Sequence, residues 1–321
     1  MTSKPEYDVI IIGGGAAGLA GAVTLGRARK RVLVVDADQP RNAPADHAHN
    51  YLGLEGIRPL DLLARGRDEA QSYGVVIKAG SVLSASKSDE HTDPHFTVDL
   101  SDGTAVTARR LLVTTGLTDV LPDIEGLAEQ WGRSVLHCPF CHGWEVREQT
   151  VGIIGSAFAA HQAMMWRQWV DDVVLFTNQF EPTAEESAKL AALGVTVVKG
   201  EIARLALDDD TLAGVTLADG TTVPVQAVVT KPEFEANADI LVSLGLEVTE
   251  MTMGDKPMGA SYVATDQAGN TSVPGVFAAG NVAAPMENVI GSAAAGVRAA
   301  GGIVASFIEE DVRSALAATS R

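Results

Sequence analysis

Both cysteines of this chain lie in one short segment, His137-Cys138-Pro139-Phe140-Cys141-His142-Gly143-Trp144. Thiols separated by two residues can close a small disulfide ring and open it again, so the pair reads as a redox centre and not as a structural staple. The attacking species in such an exchange is the thiolate, and a free cysteine must be activated to supply it at neutral pH. His142 directly follows Cys141, and an imidazole with an ordinary pKa of about 6.5 is suited to take a proton near neutrality. Pro139 suits the first position of a helix, which would put Cys138 at the positive end of a helix dipole. His137 is read either as a second catalytic imidazole or as a packing and hydrogen-bonding residue, and Trp144 as a lid or packing residue. His137, Cys138, Cys141 and His142 are all zinc-ligand types. Yet six consecutive residues can hardly surround one ion tetrahedrally, and no second cluster accompanies them, so no metal is expected.

The elements that must position this pair announce themselves by their glycines. Asp8 to Ile12 is a short β-branched strand, Gly13-x-Gly15-x-x-Gly18 follows it, and an alanine-rich helical stretch runs to about Arg29. Val32 to Val35 is a second strand ending in Asp36. Strand, glycine turn, helix, strand and acid in that order predict a dinucleotide fold. Gly13 permits the tight turn, Gly15 lets a pyrophosphate approach the backbone, Gly18 allows close helix–strand packing, and Asp36 would hold ribose hydroxyls. A second unit begins at Val151-Gly-Ile-Ile-Gly155, leads into a helix to about Trp169 and returns as a strand at Val173 to Phe176. It is degraded. Ala157 stands where the middle glycine belongs, and Thr177 to Glu181 carries neither arginine nor lysine for a 2′-phosphate. Two readings stay open there: a working nicotinamide site, or a fold retained after its cofactor was lost or weakened.

Phe96 to Leu100 with Ala105 to Ala108 reads as a hairpin, Arg110 to Thr115 as a buried strand, and Leu212 to Leu217 with Thr222 to Val225 as a second hairpin. Val273 to Asn281 is a strand ending in a tight turn, and Asn288 to Ile308 a long helix that packs closely against something flat. The expected class is α/β, with two Rossmann-like three-layer domains.

Composition narrows the function. A chain of 321 residues with 46% hydrophobic content buries a large core in two domains of ordinary size, and its net charge of −17 works against nucleic-acid phosphates and anionic membranes. Two cysteines in such a length is the usage of a reducing compartment, so a cytoplasmic location is expected. The uncharged stretch Val9 to Gly26 could pass for a secretory or membrane segment, but its glycines and the acidic residue before it favour the dinucleotide turn.

Taken together, the GGGAAG turn, the TTG at Thr114 to Gly116, the CxxC between the two folds and the VPGVFAAGN segment make the chain resemble the low-molecular-weight thioredoxin reductases, from about Tyr7 to about Ile308. The resemblance implies an FAD domain at residues 1–117 plus 246–321 and an inserted nucleotide-binding domain at 118–245 that carries the CxxC. It places FAD against Gly13, Gly15, Ala17, Gly18, Asp36, Arg41, Asn42, His49, Thr115, Gly116, Gly280, Asn281, Asn288 and Val289. A second nucleotide would lie at Gly155, Ala157 and Ala160. It further implies that Cys138 exchanges with substrate, that Cys141 faces the flavin, and that the protein is a homodimer. The chain departs from that family in His142, where an aspartate is usual, in Ala157, in the missing arginines, and in Asn281, where aspartate is common. The pattern CxFCHGW is similar instead to the thioredoxin-reductase-like dithiol oxidases of gliotoxin and holomycin type, which pass electrons from a dithiol through FAD to oxygen.

Three functions follow. The favoured one is an FAD-dependent dithiol oxidase acting on a small molecule or peptide with O2 as acceptor. The second is a thioredoxin-disulfide reductase driven by NADPH or another donor, with a thioredoxin-like protein as partner. The third is a non-enzymatic flavin redox sensor, against which the intact CxxC with His142 speaks.

Overall fold

The computed structural model describes residues 6–88 and 93–319. In chain order it begins with β1 (Tyr7–Ile12), α1 (Ala16–Arg27), β2 (Val32–Asp36), α2 (Pro59–Ser72) and β3 (Val76–Ala79). β4 (Val82–Lys87), β5 (Phe96–Leu100), β6 (Ala105–Val113) and β7 (Leu117–Val120) follow. Next come β8 (Val135–Leu136), α3 (Pro139–His142), β9 (Thr150–Ile154), α4 (Ala159–Trp166), β10 (Asp172–Phe176), α5 (Ala184–Ala192) and β11 (Thr196–Val198). β12 (Ile202–Asp208), β13 (Thr211–Leu217), β14 (Thr222–Val223), β15 (Ala227–Val229) and β16 (Glu233–Ala236) lead to α6 (Asp239–Ser243). β17 (Val248–Met253), β18 (Lys256–Val263), β19 (Val276–Ala278) and α7 (Val289–Thr319) complete the chain.

Two compact units divide these elements. One holds the chain as far as Ala43, Pro59–Thr118 and everything from Phe234, and the other holds Pro44–Arg58 and Asp119–Glu233. The expected ranges differ at two points. The return to the first unit falls at Phe234 and not at 246, because β16 pairs with β18 and Asn237 hydrogen-bonds the turn after β6. The loop Pro44–Arg58 groups with the second unit, through contacts described below.

In the first unit the sheet order is β3-β2-β1-β6-β5-β4, with β19 also on β6. Side chains of β1 alternate: Val9 and Ile11 face α1 and α7, while Ile10 and Ile12 pack with Phe96, Val98 and Leu111 on the other face. Burial on both faces explains why this strand is an unbroken β-branched run. The two strands expected between Ala105 and Thr115 are one nine-residue strand, β6. Its first half pairs antiparallel with β5 and its second half parallel with β19, so one edge serves two neighbours.

The second unit has a five-stranded parallel sheet, β11-β10-β9-β15-β8, and a three-stranded antiparallel sheet, β12-β13-β14, in which β12 is an addition to the expected hairpin. The carboxyl ends of β8, β9, β10 and β15 therefore lie along one sheet edge, where α/β proteins place their ligands.

α7 runs past the expected Ile308 to Thr319, and its close partner is the helix α1, with no flat surface needed. A Cβ at Gly296 would lie 2.0 Å from the Ala17 carbonyl oxygen, so this crossing requires glycine. By length and composition alone α7 could cross a membrane. Its inward stripe of Ala293, Gly296, Ala300, Ile303 and Phe307 is buried in the first unit. Further along, Arg110 Nη2 donates to Glu310 Oε2 at 2.8 Å and Arg109 Nη2 to Glu310 Oε1 at 2.6 Å. Glu310 thus neutralises an arginine that is 2% exposed.

Glu310→Ala is expected to lower unfolding stability by about 3 kcal/mol, since it strands a buried guanidinium. Denaturant titration measures this, with Glu185→Ala at the exposed Lys189 pair as the neutral control. Equal stability of the two variants would contradict the role given to Glu310.

Candidate active site

β8 delivers the chain to Cys138, whose backbone is extended at φ −103° and ψ 117°, and α3 then makes one turn with Pro139 at its start. The Cys138 carbonyl accepts hydrogen bonds from the backbone N–H groups of Cys141 and His142, each at 3.2 Å. That turn brings Cys141 Sγ within 2.8 Å of Cys138 Sγ, and the two are not joined as a disulfide. A single turn carries a smaller dipole than a full helix, so the helix end alone activates Cys138 weakly. The turn packs tightly: a Cβ on Gly143 would come 2.5 Å from the Pro139 carbonyl oxygen and 2.7 Å from the Trp169 indole. Phe140 meets the same indole edge to face, 4.9 Å between ring centroids.

His142 is the unusual member. Both ring nitrogens are buried and neither makes a hydrogen bond. Burial pulls its pKa below the ordinary value; the Glu145 carboxylate opposes this, His49 adds to it, and the nearby Cys138 carbonyl opposes it weakly. The imidazole is therefore neutral at neutral pH, with a lone pair uncommitted. His137 is different. Its Nδ1 lies 3.1 Å from the Thr230 carbonyl oxygen, which can only accept, so Nδ1 carries the proton and the ring is pinned to the end of β15. Of the two readings for His137, this geometry supplies the hydrogen-bonding one.

The loop Pro44–Arg58 reaches the same turn. Asn50 Nδ2 donates to the Phe140 carbonyl at 2.6 Å, and His49 lies between Glu55 Oε1 at 2.7 Å and Glu145 Oε1 at 3.4 Å. The sequence grouped His49 with the flavin-binding residues; the structure groups it with the cysteine turn. Asn50 and Glu145 went unnoticed because nothing in their spacing announces these contacts.

The glycine turn of the first unit fits a dinucleotide. A Cβ on Gly18 would lie 2.0 Å from the Gly13 carbonyl oxygen, whereas one on Gly15 would meet nothing within 4 Å. The N-terminus of α1 has no side-chain cap, so its first N–H groups face that open space, suited to a pyrophosphate. Ala17 is buried under α7. Asp36 accepts from Gly14 N at 3.0 Å and from Arg67 Nη2 at 3.0 Å, one bond on each carboxylate oxygen, which leaves each oxygen able to accept one more. Arg67 was not anticipated. Arg41 sits over the Phe234 ring at 4.9 Å, and Asn42 follows it in the same unit. Thr115 and Gly116 are bound to Asn237, through Thr115 Oγ1 to its carbonyl at 2.6 Å and its N–H to the Gly116 carbonyl at 3.0 Å. Asn281, expected to hydrogen-bond a cofactor, donates its amide to the carbonyls of Ala284, Pro285 and Glu287, which aspartate could not do. Asn288 accepts from Gly291 N at 2.9 Å and so caps α7, which begins at Val289; Gly280 packs on Ala17.

The second turn fits a nicotinamide dinucleotide poorly. A Cβ at Gly155 would lie 1.9 Å from the Thr177 carbonyl oxygen, so this glycine serves the fold. Ala157 is exposed and Ala160 buried. At the end of β10, Thr177 is buried and Asn178 Oδ1 accepts from Ile202 N at 3.1 Å, so neither offers an acid to a ribose. Among the described residues, no group of three or more His, Cys, Asp or Glu is arranged to hold a metal ion.

Two dinucleotide-type folds, one of them carrying a close cysteine pair beside a buried imidazole, define an oxidoreductase that acts on sulfur groups. The chain belongs to the pyridine nucleotide-disulphide oxidoreductase family, whose profile matches residues 7–301. Members of that family take FAD and usually NAD(P)H. Among curated proteins it is 30% identical to "Thioredoxin reductase sirT" of Leptosphaeria maculans, over 94% of this chain and 95% of that one. Among solved structures it is similar to HlmI, with 42% identity, a TM-score of 0.92 and coverage of 100% of this chain and 98% of that chain. An oxidoreductase from Agrobacterium tumefaciens is 37% identical, with a TM-score of 0.86 and coverage of 94% of this chain and 98% of that chain.

Two outcomes test the geometry. Asn281→Asp replaces a three-carbonyl donor with an anion and is expected to cost about 1–3 kcal/mol, read as a lowered Tm; an unchanged Tm refutes the donor role. Because the native His142 pKa lies below its unfolded value, the unfolded chain binds the proton more readily, and stability is lost as pH falls below about 6.5. His142→Leu should therefore lose less stability between about pH 7 and pH 5 than the parent. Parallel Tm profiles would remove the inference.

Proposed function

We propose that the protein is an FAD-dependent thiol/disulfide oxidoreductase that works as a dithiol oxidase through Cys138 and Cys141. The observation that carries this reading is the buried His142 ring, with both nitrogens uncommitted, on the same turn that brings the two sulfurs within reach of each other. In the oxidised pair, a substrate thiol gives its proton to a His142 ring nitrogen and its thiolate attacks Cys138 Sγ. The Cys138–Cys141 bond breaks and Cys141 leaves as a thiolate. The second substrate thiol attacks the substrate sulfur of this mixed disulfide while its proton passes to the departing Cys138 sulfur, closing the substrate disulfide and releasing Cys138 as a thiol. The substrate has then lost two electrons and two protons, and the enzyme pair holds the electrons. Gly13, Gly15, Gly18 and Asp36 would hold FAD at the first glycine turn, and FAD would supply a two-electron acceptor for the reduced pair, with O2 as the terminal oxidant.

Oxidase is favoured over reductase by the second turn, where Ala157 replaces the phosphate-approach glycine and the end of β10 lacks both acid and cation. The alternative, NADPH-driven reduction of a thioredoxin-like protein, draws on the names of the curated relatives. The substrate classes are a small dithiol in the first case and a protein disulfide in the second.

Anaerobic titration of the holoenzyme, followed at the flavin band near about 450 nm, separates the two. Bleaching by a small dithiol, reversed by air with peroxide formed, is expected. Rapid bleaching by NADPH instead establishes the reductase. Cys141→Ser should abolish dithiol bleaching, and His142→Ala should slow it by about a hundredfold; a loss of twofold or less takes the base role from His142.

A further inference from the structure

The exchange described above leaves a proton on a ring that is badly placed to keep it. When the substrate disulfide has closed, one substrate proton sits on Cys138 and the other on His142, whose two ring nitrogens are buried without a hydrogen bond. A buried imidazolium is costly, and His142 can serve the next substrate only as the neutral ring. The proton must therefore leave it once in every turnover. The two thiols on the same turn are themselves the reacting groups. The other side chains whose charge reaches His142 are Glu145 and His49.

These two residues begin a series that ends in water. The Glu145 side chain is 41% exposed, and its Oε1 lies 3.4 Å from His49 Nε2. On the other side of that ring, His49 Nδ1 lies 2.7 Å from Oε1 of Glu55, whose side chain is 67% exposed. Glu55 is held by His49 and by the Asn50 backbone N–H, which donates to its Oε2 at 2.9 Å, and these two bonds keep its carboxyl below the ordinary value. Glu55 is thus an acceptor at neutral pH, the proton of neutral His49 lies on Nδ1, and the Nε2 lone pair faces Glu145. An imidazole held this way can take a proton on one nitrogen and release another from the opposite one without turning. His47, with its ring centroid 6.2 Å away, is the other imidazole facing His49. A charge on His49 also disfavours a proton on His142, so the two rings hold a proton by turns.

We propose that Glu145 and His49 carry the His142 proton out to Glu55 and water, an inference that rests on the dithiol oxidase reading. The protonated His142 ring gives its proton to a Glu145 carboxylate oxygen. Glu145 passes it to His49 Nε2, and His49 releases its Nδ1 proton to Glu55 and from there to solvent. One proton leaves His142 and no electrons move. Glu145 makes no hydrogen bond to His142 at rest, so the first transfer needs its side chain to turn inward. Both residues act through His142 and not on the sulfurs. The loop Pro44–Arg58 thereby supplies the outward half of the route.

Stopped-flow and steady-state kinetics of the FAD-loaded full chain with dithiothreitol test this. If the parent protein is not bleached anaerobically, the oxidase reading fails and the proton route falls with it, whatever the variants do. Given that bleaching, His49→Ala starts with a neutral His142, so its first anaerobic bleaching should stay within about twofold of the parent while its aerobic turnover, at saturating dithiol and oxygen, falls at least about tenfold. Added imidazole, filling the space of the lost ring, should restore that turnover, a rescue that a merely structural role would not show. Glu145→Gln should also lose turnover but not respond to imidazole, because its amide cannot take the proton one step earlier. A first bleaching of His49→Ala slowed as much as its turnover makes His49 a structural residue and overturns the proposal. Unchanged turnover, no rescue of His49→Ala by imidazole, or equal rescue of Glu145→Gln each overturns it as well.

Discussion

One carbonyl organises the chemistry of this protein. Cys138 C=O receives the N–H groups of both Cys141 and His142, and that single turn brings the sulfurs together and turns the imidazole inward. Neither could be achieved by the sequence spacing alone, since the same residues in an extended strand would point to alternate faces. Around this turn the rest of the second unit acts as a mould. β8 and β15 fix where it starts, His137 bonded to Thr230 holds its entrance, Trp169 backs it, and Asn50 holds its Phe140 carbonyl.

The mould also decides the electrostatics. A histidine beside two cysteines in water would titrate near its ordinary value and be charged part of the time. Burial keeps His142 neutral, with a lone pair able to take a proton, at the price of instability in acid. Glu145 works the other way, but it is also within 3.4 Å of His49, so its charge is shared between two imidazoles. Loop Pro44–Arg58 therefore contributes to the electrostatic setting of His142, although the chain enters and leaves that loop from the first unit.

What could be read from the sequence was whatever is written locally. The glycine turn, the first strands, the cysteine turn and the degraded second turn each depend on residues a few positions apart, and each has a recognisable period or spacing. What could not be read depends on partners far along the chain. Arg67 finds Asp36 across thirty-one positions, Asn237 finds Thr115 across 122, and Glu310 finds Arg110 across 200. Asn281 shows a subtler case: its place in a motif reads as a cofactor contact, and nothing in that motif announces that its amide is also engaged with three carbonyls of the next loop. The strand β6 was divided in two because its neighbours change halfway, and a change of neighbour leaves no mark on the residues themselves.

The two glycine turns can be compared position by position, and the comparison separates what the fold needs from what a ligand needs. Gly13 and Gly155 open the turns, and a Cβ at either would drive into the backbone just past the end of a neighbouring strand, at Thr114 in one case and Thr177 in the other. Both are glycine. Gly15 and Ala157 come next; in the structure nothing lies within 4 Å of a Cβ on Gly15, and Ala157 is exposed. The protein itself places no demand on this position, so glycine there answers only to something that approaches from outside. The first unit keeps it and the second does not. Glycine thus persists in the second turn where backbone contact demands it and has given way where only a pyrophosphate would. This pattern favours the reading of the second unit as a fold that holds the cysteine turn and has a weakened nucleotide turn.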